Sequence, residues 1–179
     1  MKTLTRRVVL LMSLVLLIDA NLVWAQPLDD PATCAISITV STIMEWAGDF
    51  AGISLTAISS QGDTPEGSQM QTLYTNCNLQ ISADTSTAAR LSSATDILTT
   101  KYKLSYDGDG STTGTGGTDV ATWTDYSIFL STPSAVTHMN TDGAVNITLS
   151  VQASNPGSRV ADWGSYIATQ TLTAHWTSD

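Results

Sequence analysis

The sequence predicts an all-β protein, an antiparallel β-sandwich of about seven strands. Apolar and polar residues alternate in several segments, most clearly in residues 144–152, where Val145, Ile147, Leu149 and Val151 share one side. Gly, Pro, Asn and Asp separate these segments, and none keeps a helical period over three turns. Because two half-buried strands are marginal in water by themselves, further strands and a second layer are expected.

Residues 1–25 are predicted to form a secretory signal peptide. Basic residues precede the apolar run 8–18, which is too short to span a bilayer, and small residues favour cleavage before Gln26. The mature chain is then a single domain of residues 26–179. The charges ahead of the apolar run favour bacterial export, so the expected location is the cell surface or the periplasm.

The net charge argues against two classes of partner. The whole chain carries −9. Loss of residues 1–25 removes three bases and one acid, which leaves four strong bases against 15 acids and a net charge of −11. Such a surface repels phosphate backbones and anionic lipid headgroups, so neither nucleic-acid binding nor electrostatic membrane docking is expected.

Three strands are predicted in the first half of the mature chain: 34–41, 51–59 and 69–82. Their inward residues are Cys34, Ile36, Ile38 and Val40, then Ile53, Leu55 and Ala57, then Leu73, Cys77, Leu79 and Ile81. The loop 61–67 contains Gly and Pro, which separates the second strand from the third.

Four strands are predicted in the second half: 97–106, 125–131, 144–152 and 166–176. Lys101 and Lys103 fall on the outer face of the first of them, which supports its register. The inward residues of the second and fourth are Tyr126, Ile128 and Leu130, then Tyr166, Ala168, Leu172, Ala174 and Trp176. Residues 84–96 are expected to form a short helical turn or an irregular crossover, and residues 107–119 a mobile loop.

The two cysteines, Cys34 and Cys77, are predicted to form a disulfide, because an exported chain offers them no competing thiol and both face inward in their strands. A zinc site is the rival interpretation. It lacks ligands, since neither His138 nor His175 lies at short spacing from a cysteine.

No catalytic motif accompanies the two histidines. The chain contains the residue types of a Ser-His-Asp catalytic triad. However, no Gly-x-Ser-x-Gly elbow accompanies His138 or His175, and Ser is common throughout the chain. The sequence therefore predicts a protein that is not an enzyme and that has no cofactor.

Two weaker site candidates remain. Asp107, Asp109 and Asp119 flank a glycine-rich loop and are weak calcium candidates, although Asp-Gly pairs also make hairpin turns and the closing Glu of an EF-hand is absent. Among the tryptophans, Trp163 lies in a turn and is the best candidate for an exposed ring that stacks on a sugar. Core packing is the default for the others.

Three short motifs carry a family resemblance: residues 32–37 (ATCAIS), residues 102–107 (YKLSYD), and residues 163–166 (WGSY) ahead of the last strand. Together they resemble the spore coat protein U-like domain, a family that includes subunits of archaic chaperone-usher pili. The resemblance covers most of the mature chain. It implies an immunoglobulin-like sandwich completed by a strand from the next subunit, with copies of the chain, related fibre subunits and a periplasmic chaperone as partners.

One departure from that family concerns the strand to be donated. Only residues 26–33 precede Cys34, and two prolines and two adjacent aspartates make them a poor strand. The chain would then accept a strand without giving one, as a tip subunit does, or fold alone, or assemble by another route.

The function predicted from the sequence is structural: a secreted subunit or tip of a cell-surface fibre, or an adhesive matrix protein. Its working feature would be an unpaired sheet edge or an apolar groove. The alternative is a monomeric module that binds glycans or another secreted protein through Trp163 and the Asp-Gly loop. A hydrolase is the third interpretation.

Overall fold

The computed structural model describes residues 32–157 and 159–178. The chain divides into two compact units, Met1–Thr39 and Val40–Asp179. The expected signal peptide, residues 1–25, lies outside the described residues, and the domain bounds 26–179 stay a prediction. Within the described part, no helix is long and apolar enough to cross a membrane.

The unit Val40–Asp179 is all-β and contains two antiparallel sheets, as the alternation predicts. The described strands are β1 (Met44–Trp46), β2 (Glu66–Thr75), β3 (Asn78–Ala83), β4 (Thr99–Tyr106), β5 (Gly116–Gly117), β6 (Val120–Asp125), β7 (Ser134–Thr137), β8 (Ala144–Ser154) and β9 (Leu172–Ser178). Their order is β1-β2-β8-β4-β6 in one sheet and β5-β7-β3-β9 in the other. Side chains of both sheets share one hydrophobic core, which is consistent with a β-sandwich.

Strand β8 is the centre of the larger sheet. It pairs with β2 from Glu66 opposite Gln152, and with β4 from Thr99 opposite Ser154. Its burial alternates along its whole length. The apolar face predicted for this strand is therefore confirmed, because partners on both sides and a core below leave only one face for Val, Ile and Leu.

The predicted strand 69–82 is two strands that belong to different sheets. The chain leaves β2 at Thr75 and enters β3 at Asn78. At this corner the Thr75 hydroxyl accepts a hydrogen bond from the Cys77 amide (3.1 Å) and donates one to the Cys77 carbonyl (2.8 Å). The predicted inward residues are all buried, since the corner keeps their side chains on the core side.

The predicted strand 125–131 is wrong. The Asp125 carbonyl accepts hydrogen bonds from the amides of Ile128 (3.1 Å) and Phe129 (2.9 Å), and the Asp125 carboxylate accepts one from the Ser127 amide (3.0 Å). These local bonds close a turn. Phe129 and Leu130 enter the core as a result, whereas Ile128 points outward.

The C-terminal strand is shorter than predicted, and its partner is β3. Residues 166–171 lie outside the ladder apart from a bridge between Ile167 and Ser92. Leu172 and Ala174 are half-buried, but Trp176 is exposed, against the prediction. The short helical turn expected within residues 84–96 is present as a 3-10 turn at Thr87–Ala89.

Residues 34–41 are the largest departure from the predicted fold. They belong to no strand and contain no turn or bend, and every residue is exposed. The apolar members of the expected inward face are 91% exposed at Ile36, 90% at Ile38 and 69% at Val40. Residues 34–40 are called the exposed segment below. Its alternation is that of a strand, but none of the described residues pairs with it in a ladder.

The two cysteines are free thiols in this structure, with Cys34 exposed and Cys77 buried. The expectation that Cys34 faces inward is wrong, because it lies in the exposed segment. The Cys77 sulfur lies 3.3 Å from the Thr75 hydroxyl oxygen. The disulfide between Cys34 and Cys77 is therefore not confirmed and stays a prediction.

Candidate functional site

A groove of about 820 Å³ lies on the unit Val40–Asp179. One side is residues 53–61, called wall 1, and the other is residues 160–167, called wall 2. Between them the groove is lined by Leu91, Leu98 and Ala153, of which Leu98 and Ala153 are buried. An apolar floor between two polar-edged walls is the usual construction of a binding groove.

The predicted strand 51–59 is wrong, since these residues join no described strand. Alternation holds only over residues 53–56, and Ala57, expected to face inward, is exposed, whereas Ile58 is half-buried. Ile53 and Leu55 pack against the core, whereas Ser54 and Thr56 are exposed. A Cβ atom on Gly67 of β2 would lie 2.8 Å from Ile53 Cγ2, so glycine lets wall 1 approach this closely. Within the part of the chain that the structure describes, no backbone amide or carbonyl of residues 51–58 makes a hydrogen bond.

A turn fixes the far end of wall 1. The Asp63 carboxylate accepts hydrogen bonds from the hydroxyls of Ser59 (3.0 Å) and Ser60 (2.6 Å) and from both of their amides. These donors, the Ser60 hydroxyl foremost, lower the pKa of Asp63 to about 2. The carboxylate is therefore charged at neutral pH and holds the turn closed.

Asn155 connects the two walls. Its buried side-chain amide donates hydrogen bonds to the carbonyls of Ser60 and Gln61, both at 3.2 Å. Its side-chain oxygen accepts one from the Ala161 amide at 3.0 Å. One side chain thus fixes the separation of wall 1 from wall 2 at one end of the groove.

Asp96 anchors wall 2. Its buried carboxylate makes a two-pronged ion pair with Arg159 and accepts hydrogen bonds from the amides of Asp162 (2.9 Å) and Ile97 (2.7 Å). The Arg159 guanidinium, followed by these amides, holds the pKa of Asp96 well below its usual range. The chain leading into wall 2 is therefore fixed to the loop before β4.

Trp163 stands at the surface of wall 2. Its side chain is 98% exposed, as the sequence predicts for the best exposed tryptophan. The Tyr166 hydroxyl donates a hydrogen bond to the Asp162 carbonyl (2.7 Å) and closes the loop that carries it. Gly164 in that loop has φ of 152°, where L side chains are strained. The ring is thus presented to solvent by a short closed loop.

Comparisons with protein-family models, curated proteins and solved structures gave no match.

The calcium candidates line a second cavity, of about 670 Å³, but each carboxylate has a structural partner. Asp107 accepts hydrogen bonds from the amide and the side chain of Asn146, Asp109 from the Ser111 amide, and Asp119 from the Tyr106 amide. Among residues 32–157 and 159–178, no three acidic, His or Cys side chains are grouped so that they could hold a metal. The loop geometry supports the turn interpretation.

The histidines lie apart from the groove. His175 Nε2 lies 2.9 Å from the Ser82 hydroxyl across the β3–β9 pair, on the exposed side. His138 donates its backbone amide to Asn78 (2.9 Å), and its ring lies 3.4 Å from the Thr115 hydroxyl. No described carboxylate hydrogen-bonds to either ring. The Ser82–His175 pair is a cross-strand surface contact.

Proposed function

We propose that this chain is a secreted structural protein, a subunit or tip of a cell-surface fibre in which β-strand complementation joins neighbouring subunits. The observation that carries the proposal is the exposed segment. It presents Ile36, Ile38 and Val40 to solvent at alternate positions in a chain stretch without turn or bend. This is the form of a strand that has no sheet.

Two deficits of the exposed segment favour its insertion into another sheet. Burial of an isoleucine side chain stabilises by about 1.5–3 kcal/mol, so three exposed apolar residues on one face leave several kcal/mol unrealised. In addition, no backbone group of residues 36–40 hydrogen-bonds to another described residue. An incomplete sheet of a neighbouring subunit would supply both an apolar surface and backbone partners.

The exposed segment can serve as the donated strand, which residues 26–33 are poorly suited to form. Those residues are a poor strand to donate, but residues 34–40 carry the alternation that a donated strand requires. The sequence assigns them to the domain itself, whereas the structure leaves them outside both sheets. We infer that the chain gives this segment as well as accepting one.

The proposed architecture is an immunoglobulin-like sandwich. Without β1 and β5, which span three and two residues, the described strands number seven. A fibre of this kind would be exported, would assemble at the bacterial surface from copies or related subunits, and would require a periplasmic chaperone to cover the apolar surfaces beforehand. No catalytic role and no cofactor form part of the proposal.

The test is a double substitution, Ile36→Asn with Ile38→Asn, in the purified mature chain. We expect the wild type to form a ladder of oligomers in unheated detergent gels and in sedimentation velocity. The variant should stay monomeric, because amide side chains cannot replace the lost apolar burial. Ser37→Asn with Thr39→Asn, on the other face of the same segment, is the matched control and should assemble.

Assembly of the Ile36 and Ile38 variant to the same extent as the wild type would refute this proposal. Monomers of every form, the wild type included, would favour the alternative, a monomeric module that binds glycans or another secreted protein. The exposure of Trp163 is the observation that favours that alternative. In that case glycan-array binding should be present and should be lost in Trp163→Ala.

A further inference from the structure

We propose that the groove between wall 1 and wall 2 binds a neutral oligosaccharide, with one sugar ring stacked on Trp163. The inference goes beyond the proposed function, because it assigns a ligand to the groove whether or not the chain assembles. The site lies within the unit Val40–Asp179 and combines an exposed aromatic ring, an apolar floor and a wall rich in hydrogen-bonding groups.

A fixed loop holds the ring of Trp163 in solvent. The side chain is almost fully exposed, although burial stabilises a large aromatic side chain more than most others. The loop is anchored, because the Asp96 carboxylate accepts a hydrogen bond from the Asp162 amide (2.9 Å) and the Tyr166 hydroxyl donates one to the Asp162 carbonyl (2.7 Å). An aromatic face fixed beside a groove is a platform for a flat apolar surface, and the C–H face of a pyranose ring is such a surface.

Wall 1 supplies hydrogen-bonding capacity. No backbone amide or carbonyl of residues 51–58 hydrogen-bonds to another described residue, and Ser54, Thr56 and Gln61 are exposed along the groove. These groups include both donors and acceptors. A sugar hydroxyl matches them, since a hydroxyl donates one hydrogen bond and accepts two. A lipid tail would leave them unpaired, which costs free energy.

The shape of wall 1 favours a sugar over a peptide strand. An added strand pairs with an edge whose inward side chains keep a period of two. The alternation of wall 1 ends at Ala57, which is exposed, and Ile58 is half-buried instead. A ladder would therefore lose its register along this wall, whereas separate hydroxyls need no common register.

Charge selects a neutral sugar. Among the described residues that line the groove, Asp162 is acidic and none is basic. The Asp162 carboxylate accepts a long hydrogen bond from the Thr95 hydroxyl (3.4 Å) and has capacity for sugar hydroxyls. An anionic sugar would meet this carboxylate without a basic partner, in a chain of net charge −9. Uronic acids and sulfated sugars are therefore disfavoured.

The groove is preformed. Asn155 donates hydrogen bonds to the carbonyls of Ser60 and Gln61 (3.2 Å each) and accepts one from the Ala161 amide (3.0 Å), which fixes the two walls at one end. The floor between them, which includes buried Leu98, offers an apolar surface to further sugar rings. A preformed site loses little conformational entropy when a ligand binds.

The test is native electrophoresis of the mature chain through gels that contain a soluble β-glucan, a mannan, a galactan or, as the anionic probe, polygalacturonate. We expect at least one neutral polysaccharide to retard the chain and polygalacturonate to leave its mobility unchanged. Trp163→Ala should raise the dissociation constant at least about tenfold, because the ring supplies the stacking face. Ala57→Leu should also weaken binding, since the larger side chain narrows the groove at wall 1.

The matched controls lie outside the groove. Tyr74→Ala removes an exposed aromatic side chain from β2, and Ala51→Leu adds the bulk of Ala57→Leu at another exposed position of the same stretch. Both should bind as wild type does. Trp163→Phe keeps an aromatic face and should recover part of the binding. Circular dichroism establishes that each variant is folded.

Retardation by none of the neutral polysaccharides, stronger retardation by polygalacturonate, or equal retardation of wild type and Trp163→Ala would overturn this inference. Ile36→Asn/Ile38→Asn changes residues outside the unit that holds the groove, so it should bind polysaccharide as wild type does. If binding fails while wild type assembles and that variant does not, the proposed function stands and the groove assignment is wrong. If binding holds while that variant assembles, the proposed function is wrong and the groove assignment stands.

Discussion

Phe129→Ala should lower the free energy of unfolding by about 3–5 kcal/mol. Phe129 is fully buried, and its ring packs on Tyr102 with centroids 5.4 Å apart. Truncation removes this aromatic contact and leaves a cavity at the meeting point of the sheets, because packed strands cannot collapse around it. Since small domains are stable by about 5–15 kcal/mol, the loss is a large part of the total. Urea unfolding at neutral pH measures it.

The neighbouring residue supplies the control for Phe129. Ile128 lies in the same turn and is 60% exposed, so Ile128→Ala should change the free energy of unfolding by no more than about 0.5 kcal/mol. Equal losses for the two substitutions would mean that the turn after Asp125 does not place Phe129 in the core. The strand predicted for residues 125–131 would then have to be reconsidered.

Asp96→Asn should lower the free energy of unfolding at neutral pH. It should also make that free energy fall less steeply as the pH is lowered. Arg159 and two backbone amides hold the pKa of Asp96 below that of an unfolded aspartate, about 3.9. The contribution of a group with a lowered pKa is complete above the unfolded value and declines as the pH falls below it towards the folded pKa. The difference in stability between wild type and Asp96→Asn should therefore be largest at neutral pH and shrink below about pH 4.

Urea unfolding measured from pH 7 down to about pH 2 tests this pH dependence. Glu45→Gln is the control, because Glu45 is exposed on β1 and no described Lys, Arg or His forms an ion pair with its carboxylate. Its stability should follow wild type across the range. A difference between wild type and Asp96→Asn that stays constant from neutral to acid pH would contradict the anchoring role assigned to Asp96.

The central strands are readable from the sequence because their environment matches their pattern. β8 has a partner strand on each side and the core on one face, so its alternation is complete. β4 follows the same rule, with Tyr102 and Leu104 buried and Lys101 on the outer face. Where one face of a strand packs on the core, the alternation of apolar and polar residues is enough to predict the strand and its buried face.

The strand predictions fail where local hydrogen bonds form a turn, or where no described strand pairs with an alternating segment. At Asp125, side-chain and carbonyl acceptors close a turn inside an apolar stretch. At residues 34–40 the pattern is that of a strand, but the described structure supplies no neighbour to pair with it. Alternation states which residues would be buried, not which sheet buries them, and that sheet can belong to another molecule.

The sequence reveals only part of the groove. It points to Trp163, which lies in a turn, and it predicts an apolar groove without a location. It does not point to Asn155 and Asp96, because their partners, Ser60 and Arg159, lie far away in the sequence. Polar residues in loops are too common for one sequence to reveal which of them is buried and bonded across the fold.

The central claim is that this chain assembles into fibres by exchange of strands. Negative-stain electron microscopy of the purified mature chain and of material sheared from the native cell surface, with the chain identified by mass spectrometry, tests it most directly. The account predicts uniform filaments that contain this chain and that disappear in Ile36→Asn/Ile38→Asn. Compact monomers in both wild-type samples would contradict it.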